Sequence, residues 1–283
     1  EITLLGQTVN SYVNQEAGRE VRFSDLLERL DRIEGLRRIR FVTNHPSDFG
    51  DDVLEAMRDL SKVCEYLHLP AQSGSDAVLH RMRRQYTARQ YDELIARARE
   101  YVPEVTIASD FIVGFCGETE EDYAETVAMV ERSRFKNIFV FKYSPRPDTV
   151  AYKRIADEVP DEVKRRRNVE LLAVQERISM EANRKLIGGV VEILVEGYSK
   201  RAVKAQDAEQ SRGQETSTEW SDQLVGRTRT DRIVVFIAGP EQIGRFVRVR
   251  ITGATALTLH GEVVDDYKQS STVDLVPLAV PTI

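Results

Sequence analysis

The 283-residue chain has only two cysteines, Cys64 and Cys116, far apart and in no paired spacing. That excludes a disulfide-held scaffold, and it excludes a zinc or iron–sulfur site built from this chain's thiols alone. An excess of positive charge is missing too. Forty-six acidic residues against 40 basic ones leave a net charge of −6, so the charge of the whole chain does not mark a binder of nucleic acid or anionic membrane. Any such role rests on local basic patches. No apolar run approaches the roughly 18 residues of a membrane span, and no charged-then-apolar signal pattern opens the chain, so a soluble cytoplasmic protein is expected. What is present suits a folded chain. Hydrophobic residues make up 41% and charged residues 30%, enough apolar material for a core and too much for disorder. The length fits one large domain or two ordinary ones. The chain opens on Glu1-Ile2-Thr3-Leu4-Leu5, without Met and inside what reads as a strand, so a fragment with a missing upstream part is expected.

Strand-like and helix-like segments alternate over the first half. Ile2 to Leu5 is a short apolar run closed by Gly6, as in a buried parallel strand. Ser24 is expected to cap a helix whose Leu26, Leu27, Leu30 and Ile33 share a face, with Gly35 as its stop. Strands are predicted at Arg38–Thr43, Glu65–Leu69, Val105–Gly114 and Asn137–Tyr143. Helices are predicted through Leu54, Met57 and Leu60, over Thr87–Tyr101 and over Thr119–Ser133. This alternation predicts an α/β fold with a parallel sheet or barrel in residues 1–158. A long connecting helix over Asp161–Leu186, within residues 159–187, carries the basic run Lys164-Arg165-Arg166-Arg167, which is either a solvated face or an interaction surface. Val190–Val195, Leu224–Ile237, Phe246–Ile251 and Leu257–Val264 then read as strands with no helix between them, a small all-β barrel over residues 188–264. Lys200 to Ser221 is polar and reads as a flexible loop, and residues 265–283 as a tail. No internal repeat has a fixed period.

Ligands of parallel α/β folds bind at the carboxyl ends of the strands. Here the segments after the strands are rich in Gly, Ser, Asn, Gln and Pro: Gly6 to Asn10, Asn44 to Pro46, Pro70 to Asp76, Phe115 to Thr119 and Tyr143 to Pro147. Any one of these is an ordinary turn, but five on one rim favour a polar site. Individual side chains point less clearly. His45 and His68 lack the partner motif of metal ligands, so hydrogen-bonded structure outweighs ligation. Asp110 and Glu118 suit an acid–base pair, capping or ribose binding. Cys116, with no adjacent base, reads as a small turn residue before it reads as a nucleophile.

Five ordered motifs carry a family resemblance. They are LLGQTVNSY at Leu4 to Tyr12, HLPAQSGSD at His68 to Asp76, SDFIVGFCGETEEDY at Ser109 to Tyr123, FKYSPRPDT at Phe141 to Thr149, and GRTRTDRIVVF at Gly226 to Phe236. Together, over roughly residues 1 to 262, the chain resembles the radical-SAM methylthiotransferases, and within them the MiaB-type branch acting on tRNA. The resemblance implies a partial radical-SAM (β/α) barrel followed by a small β-barrel of TRAM type. It implies methylthiolation of carbon 2 of isopentenyladenosine 37 beside the anticodon. One 4Fe–4S cluster would cleave S-adenosylmethionine reductively to give the radical that removes the hydrogen, and a second would carry the sulfur. Such a C–H bond is too strong for side-chain acids and bases.

By position, the resemblance assigns Gln7 to the methionine end of S-adenosylmethionine, and Gln72 and Ser73 to its ribose and methionine groups. Ile112 and Gly114 would lie along the adenine with Tyr143 beside it, and Asp110 would join this cofactor set. Lys142 and Arg146 would meet substrate or phosphate. Arg227, Arg229 and Arg232 would form a local RNA surface, with a solvated strand edge as the alternative. The patch must be local, since residues 188–262 carry ten basic and ten acidic groups. The implied partners are the tRNA anticodon stem-loop and an electron donor; neither a membrane nor a second copy is expected.

The chain departs from the family at Cys116, where Pro is usual, at Thr8, where Asn is usual, and in a longer Lys200–Ser221 segment. The largest departure is that no CxxxCxxC loop or preceding cysteine domain stands in the chain, so no metal ligand is expected in it. Three alternatives remain: the sister activity on an aspartate of a ribosomal protein, a cluster-less RNA-binding relative, and an ordinary barrel enzyme using Asp110 and Glu118. The gene decides between the first reading and the cluster-less one. A CxxxCxxC a few tens of residues before Glu1 is the expected finding, and a start codon close to Glu1 would refute it.

Overall fold

The computed structural model describes residues 1–205 and 222–264, and the chain divides into two compact units at Ala182/Asn183. In chain order the first unit contains β1 (Ile2–Leu4), β2 (Val13–Glu16), β3 (Arg19–Arg22), α1 (Phe23–Asp31), β4 (Ile39–Phe41), α2 (Asp51–Asp59) and β5 (Tyr66–His68). There follow α3 (Asp76–Arg81), α4 (Ala88–Tyr101), β6 (Thr106–Val113), α5 (Glu120–Ser133), β7 (Asn137–Lys142), α6 (Val150–Arg154) and α7 (Asp161–Arg184). The pairs β1–β4, β5–β6 and β6–β7 are all parallel. An Ile39–Val63 bridge and the Asn44 N to His68 O hydrogen bond of 3.4 Å join β4 to β5. The α/β barrel portion expected from the alternation is therefore present. No helix among the described residues is long and apolar enough to cross a membrane.

The alternation of β6 explains the layering. Ile107, Ser109, Phe111 and Val113 are buried on one side, and Phe111 meets Phe135 edge-on at 5.7 Å. The same strand turns Asp110 and Ile112 to the opposite side, where they are half-buried, because strand side chains alternate faces. Around the sheet, α4 contributes Tyr91, Leu94, Ile95 and Ala98 at helical spacing. It is started by Thr87, whose hydroxyl and Gln90 form a reciprocal capping box. Thr119 and Asp122 repeat that device on α5.

Several local expectations change. Ser24 does not cap α1: the helix starts one residue earlier, Asp25 accepts from Arg22 N at 2.7 Å, and the Ser24 hydroxyl donates to Asp52 at 2.8 Å. The helix stops at Asp31, leaving Ile33 half exposed. The β2–β3 hairpin, turned by Ala17 and Gly18 at positive φ, has no apolar alternation to announce it because seven of its eight strand residues are exposed. The short helices α3 and α6 were also not legible from periodicity.

In the second unit, β8 (Val190–Tyr198), β9 (Gln223–Thr228), β10 (Ile233–Ile237), β11 (Phe246–Ala254) and β12 (Thr258–Val263) close a barrel in the order β10-β12-β11-β8-β9. Its core is Ile193, Val195, Leu224, Val234, Phe236, Val247, Val249, Ile251 and Leu259. The stretch Leu224–Ile237, expected as one strand, is a hairpin whose turn places Asp231 at φ 59°. Residues 200–205, assigned to a polar loop by composition, are helical, with Ser199 Oγ accepting from Ala202 N at 3.1 Å. The rest of that expected loop and the expected tail from Asp265 lie outside the described residues. A Cβ at Gly261 would collide with Val249 and the Arg250 carbonyl, so only glycine lets β12 cross β11 this closely. Leu259→Ala is expected to lower the stability of this unit by about 2–5 kcal/mol, the usual range for emptying a buried leucine site, read as a lower urea midpoint at unchanged slope.

Candidate active site

The strand-end loops are tied to one another by short polar side chains. Asn10, after β1, donates through Nδ2 to His45 O at 3.0 Å and accepts from His45 N at 2.8 Å. Asn44, after β4, donates to His68 O at 3.0 Å. Asn44 Oδ1 and His45 Nδ1 are buried and have no hydrogen-bond partner among the described residues, and buried polar atoms of this kind call for an explanation such as a bound group.

The loop after β5 is held from below. Tyr91 OH donates to Leu69 O at 2.7 Å, Ser109 Oγ accepts from Ala71 N at 3.0 Å, and Tyr86 OH reaches Ala71 O at 3.1 Å. Burial pushes the Tyr86 phenol up to about 12 and raises Tyr91 further, so both remain hydrogen-bond donors. Gln72 follows with φ 68°, its backbone donating to Asp110 O at 2.7 Å and accepting from Ile112 N at 2.9 Å. Ser73 is fully buried, with its hydroxyl against Thr126 Oγ1 at 3.2 Å and Ser75 N at 3.2 Å. Its side chain therefore turns toward α5 and leaves the rim to Gln72. Ser75 and Arg81 both bond Asp122, and although burial raises that carboxyl, the donors Ser75, Thr119 and Arg81 bring it below the usual range.

The turn after β6 is the most constrained segment. Gly114 has φ 72°, and a Cβ there would run into the Lys164 methylenes, so no other residue fits without displacing α7. Gly114 N donates to Glu118 Oε2 at 2.5 Å, and Arg167 Nη1 donates to the same oxygen at 2.5 Å. Glu118 is fully enclosed; burial pushes its carboxyl up, against the downward pull of the Gly114 N–H and Arg167. Lys164 bonds both oxygens of Asp157 at 2.6 and 2.7 Å and lies 5.3 Å over the Tyr143 ring. Tyr143 stacks edge-on with Phe115 at 4.8 Å, and burial with the neighbouring Cys116 raises its phenol to about 12. The basic run of α7 is thus two buried braces and two surface residues: Arg165 pairs with Asp161, and Arg166 with Glu120 and Glu170. A polar cleft of about 560 Å³ beside it is lined by Lys142, Tyr143, Ser144, Asp157, Asp161 and Lys164, among others.

Asp110 and Glu118 are not an acid–base pair. Asp110 Oδ1 lies 2.9 Å from His68 Nε2, whereas Glu118 is spoken for by Arg167 and Gly114. The rim brings together Gln72, Asp110, Ile112, Gly114 and Tyr143 through the backbone bonds of β6: Gln72 to Asp110 and Ile112, and Tyr143 N to Val113 O at 2.9 Å. Gln7 is exposed after β1, Lys142 is exposed with Asp161 at 3.6 Å, and Arg146 is exposed. Cys116 is packed against Val78 and Phe115, and Cys64 is buried apart from it as a second free thiol. Among the described residues no three His, Cys, Asp or Glu converge on a metal position, so the residues present do not fit an iron–sulfur cluster. They fit a small polar ligand better, through the unpartnered Asn44 Oδ1 and His45 Nδ1.

In the second unit the three arginines are engaged within the protein. Arg227 is engaged by Asp231 at 2.8 Å and Glu196 at 3.1 Å. Arg232 donates to Asn183 Oδ1, and burial lowers its pKa. Arg229 makes an interaction within the protein as well. Sequence reasoning missed Arg248 and Arg250, which alternate with the buried Val247, Val249 and Ile251 and so project outward from β11; the strand period carried that signal.

Residues 1–130 match the radical SAM superfamily and residues 216–264 the TRAM domain. Curated relatives named tRNA-2-methylthio-N(6)-dimethylallyladenosine synthase align along nearly all of the chain. The chain belongs to the radical-SAM methylthiotransferases. The relative from Rhodopirellula baltica is 51% identical over 99% of this chain and 55% of its own length. That from Thermoanaerobacter sp. is 44% identical over 94% of this chain and 52% of its own, and that from Porphyromonas gingivalis 41% over 94% and 53%. The chain therefore spans about half the length of the curated methylthiotransferases it matches. Within this member of the family, Arg167→Met strands the buried Glu118 charge. It is expected to destabilise the first unit by about 3–5 kcal/mol in denaturant unfolding, with Glu118→Gln in the same background recovering part of the loss.

Proposed function

We propose that the whole protein methylthiolates carbon 2 of isopentenyladenosine 37 in tRNA, and that this chain supplies cofactor-pocket walls and an RNA-contacting barrel. The observation that carries the reading is the 51% identity to a tRNA-2-methylthio-N(6)-dimethylallyladenosine synthase over 99% of the chain. It is supported by the polar rim at the strand ends. S-adenosylmethionine and two 4Fe–4S clusters, when bound, supply the C–H activation and sulfur chemistry that acids and bases cannot. The cluster ligands would be cysteines other than Cys64 and Cys116, both of which are buried.

The chain's own residues bind, orient and exclude water. In this reading Gln7 and Gln72 contact the polar end of S-adenosylmethionine, and Ile112, Gly114 and Tyr143 form the wall for its adenine. Gly114 presents backbone at the strand end, in a turn that Glu118 and Lys164 brace. Lys142 and Arg146 face incoming phosphate at the rim. Ser73 acts through the loop it buttresses. Arg229 and the outward Arg248 and Arg250 contact RNA phosphate, which positions a nucleic acid without reading its sequence. An electron donor and a monomeric, cytoplasmic enzyme complete the proposal.

Anaerobic reconstitution of the full-length protein tests it. Methylthiolation of isopentenylated tRNA is the expected result, and modification of a ribosomal protein in its place would overturn it. In tRNA binding, Arg248→Ala is expected to reduce the salt slope by about one. Arg227→Ala should reduce it less, because Glu196 and Asp231 already neutralise that guanidinium.

A further inference from the structure

Two large aromatic side chains on the inner face of the sheet are not covered by the fold. Phe139 and Phe141 on β7 are 51% and 54% exposed, although Ile138, which precedes them on the strand, is buried at 6%. The strand register places both on a defined surface, with Asp110 opposite Phe139 and Ile112 opposite Phe141. Directly paired residues of neighbouring strands project to the same side, so Asp110, Ile112, Phe139 and Phe141 form one patch. His68 joins it: Nε2 lies 2.9 Å from Asp110 Oδ1, and the imidazole meets the Phe139 ring edge-on at 6.3 Å. A carboxylate can only accept, so the Nε2 beside it carries the proton. Nδ1 is then a lone-pair acceptor, and no hydrogen bond to it is made among the described residues. The patch therefore offers an apolar wall beside one fixed hydrogen-bond acceptor.

We infer that this patch is the pocket that selects the N6-dimethylallyl group of the substrate nucleoside: Phe139 and Phe141 cover the branched hydrocarbon, and His68, oriented by Asp110, accepts the single hydrogen left on N6. The inference rests on the proposed function and assigns Asp110 to the substrate rather than to the cofactor. The chemistry matches on both counts. A five-carbon branched substituent is apolar and belongs on exposed phenyl rings, whose burial is the driving force of the contact. An alkylated N6 keeps one N–H, which one acceptor satisfies. Unmodified adenosine would leave both rings wet and a second N–H without a partner at this wall.

The test uses the full-length protein and fluorescently labelled anticodon stem-loops with and without the dimethylallyl group, read by anisotropy. The wild type is expected to bind the prenylated stem-loop more tightly. Phe139→Ala and Phe141→Ala should each narrow that preference roughly tenfold, because a hydrophobic pocket discriminates hydrocarbon in about that range. They should do so by weakening the prenylated stem-loop alone, and Phe139→Leu should restore most of the preference. His68→Leu should weaken both stem-loops equally, since both carry an N6 hydrogen. Alanine variants that retain their fold by circular dichroism and keep the wild-type preference, or that weaken both stem-loops alike, would overturn the wall while leaving the proposed function standing. A wild-type protein that neither prefers nor methylthiolates the prenylated RNA would overturn the proposed function, and the wall with it.

Discussion

The turn after β6 depends on two cations reaching in from α7. Arg167 neutralises a carboxylate that has no access to water, and that carboxylate in turn holds the Gly114 N–H at 2.5 Å. Lys164 fills the space a side chain at Gly114 would need and extends over Tyr143, with Asp157 balancing its charge. An enclosed ion pair contributes little net stability compared with apolar packing, but losing one partner is costly, so it works better as a positional lock than as a stabiliser. The lock joins the carboxyl ends of β6 and β7 to a helix that begins outside the strand–helix alternation. Gln72, Asp110 and Ile112 are aligned along the same strand end through backbone bonds, so the rim inherits its geometry from this brace.

The two faces of the sheet do different work. The outer face is a conventional core, where Phe111, Phe135, Tyr91 and the aliphatic residues of α4 and α5 exclude water. The inner face carries His68, Asp110, Phe139 and Phe141, a mixture of polar and aromatic groups that a core does not leave open. Close packing on one side makes the strands rigid, and rigid strands hold binding groups more exactly than loops do.

The barrel solves a different problem. Closing five strands removes free edges, and Gly261 and Gly226 allow neighbouring backbones to approach where a side chain would collide. With Val247, Val249 and Ile251 committed inward, β11 turns Arg248 and Arg250 outward as a consequence of strand geometry alone. The net charge of the chain is silent about this, since acidic and basic groups balance over residues 188–262 while two arginines project from one strand.

Much was legible in the residues themselves. Thr87 with Gln90 and Thr119 with Asp122 are local capping devices, so the starts of α4 and α5 could be read directly, and the apolar runs placed the parallel strands because each buries side chains in the core. The motifs also announced the family. The hairpin at β2–β3 was illegible because its strands face solvent and so carry no apolar alternation. The pairing of charges was illegible for a more basic reason. Whether Arg167 meets RNA or Glu118, whether Asp110 meets Glu118 or His68, and whether Arg227 stays free or pairs with Glu196 depends on residues tens of positions apart. Sequence alone determined which residues want water, which want a helix and which want a strand. Only the tertiary structure decided which charges neutralise one another and which aromatic rings stay uncovered, because those outcomes are set by distances between elements and not by the order of residues within them.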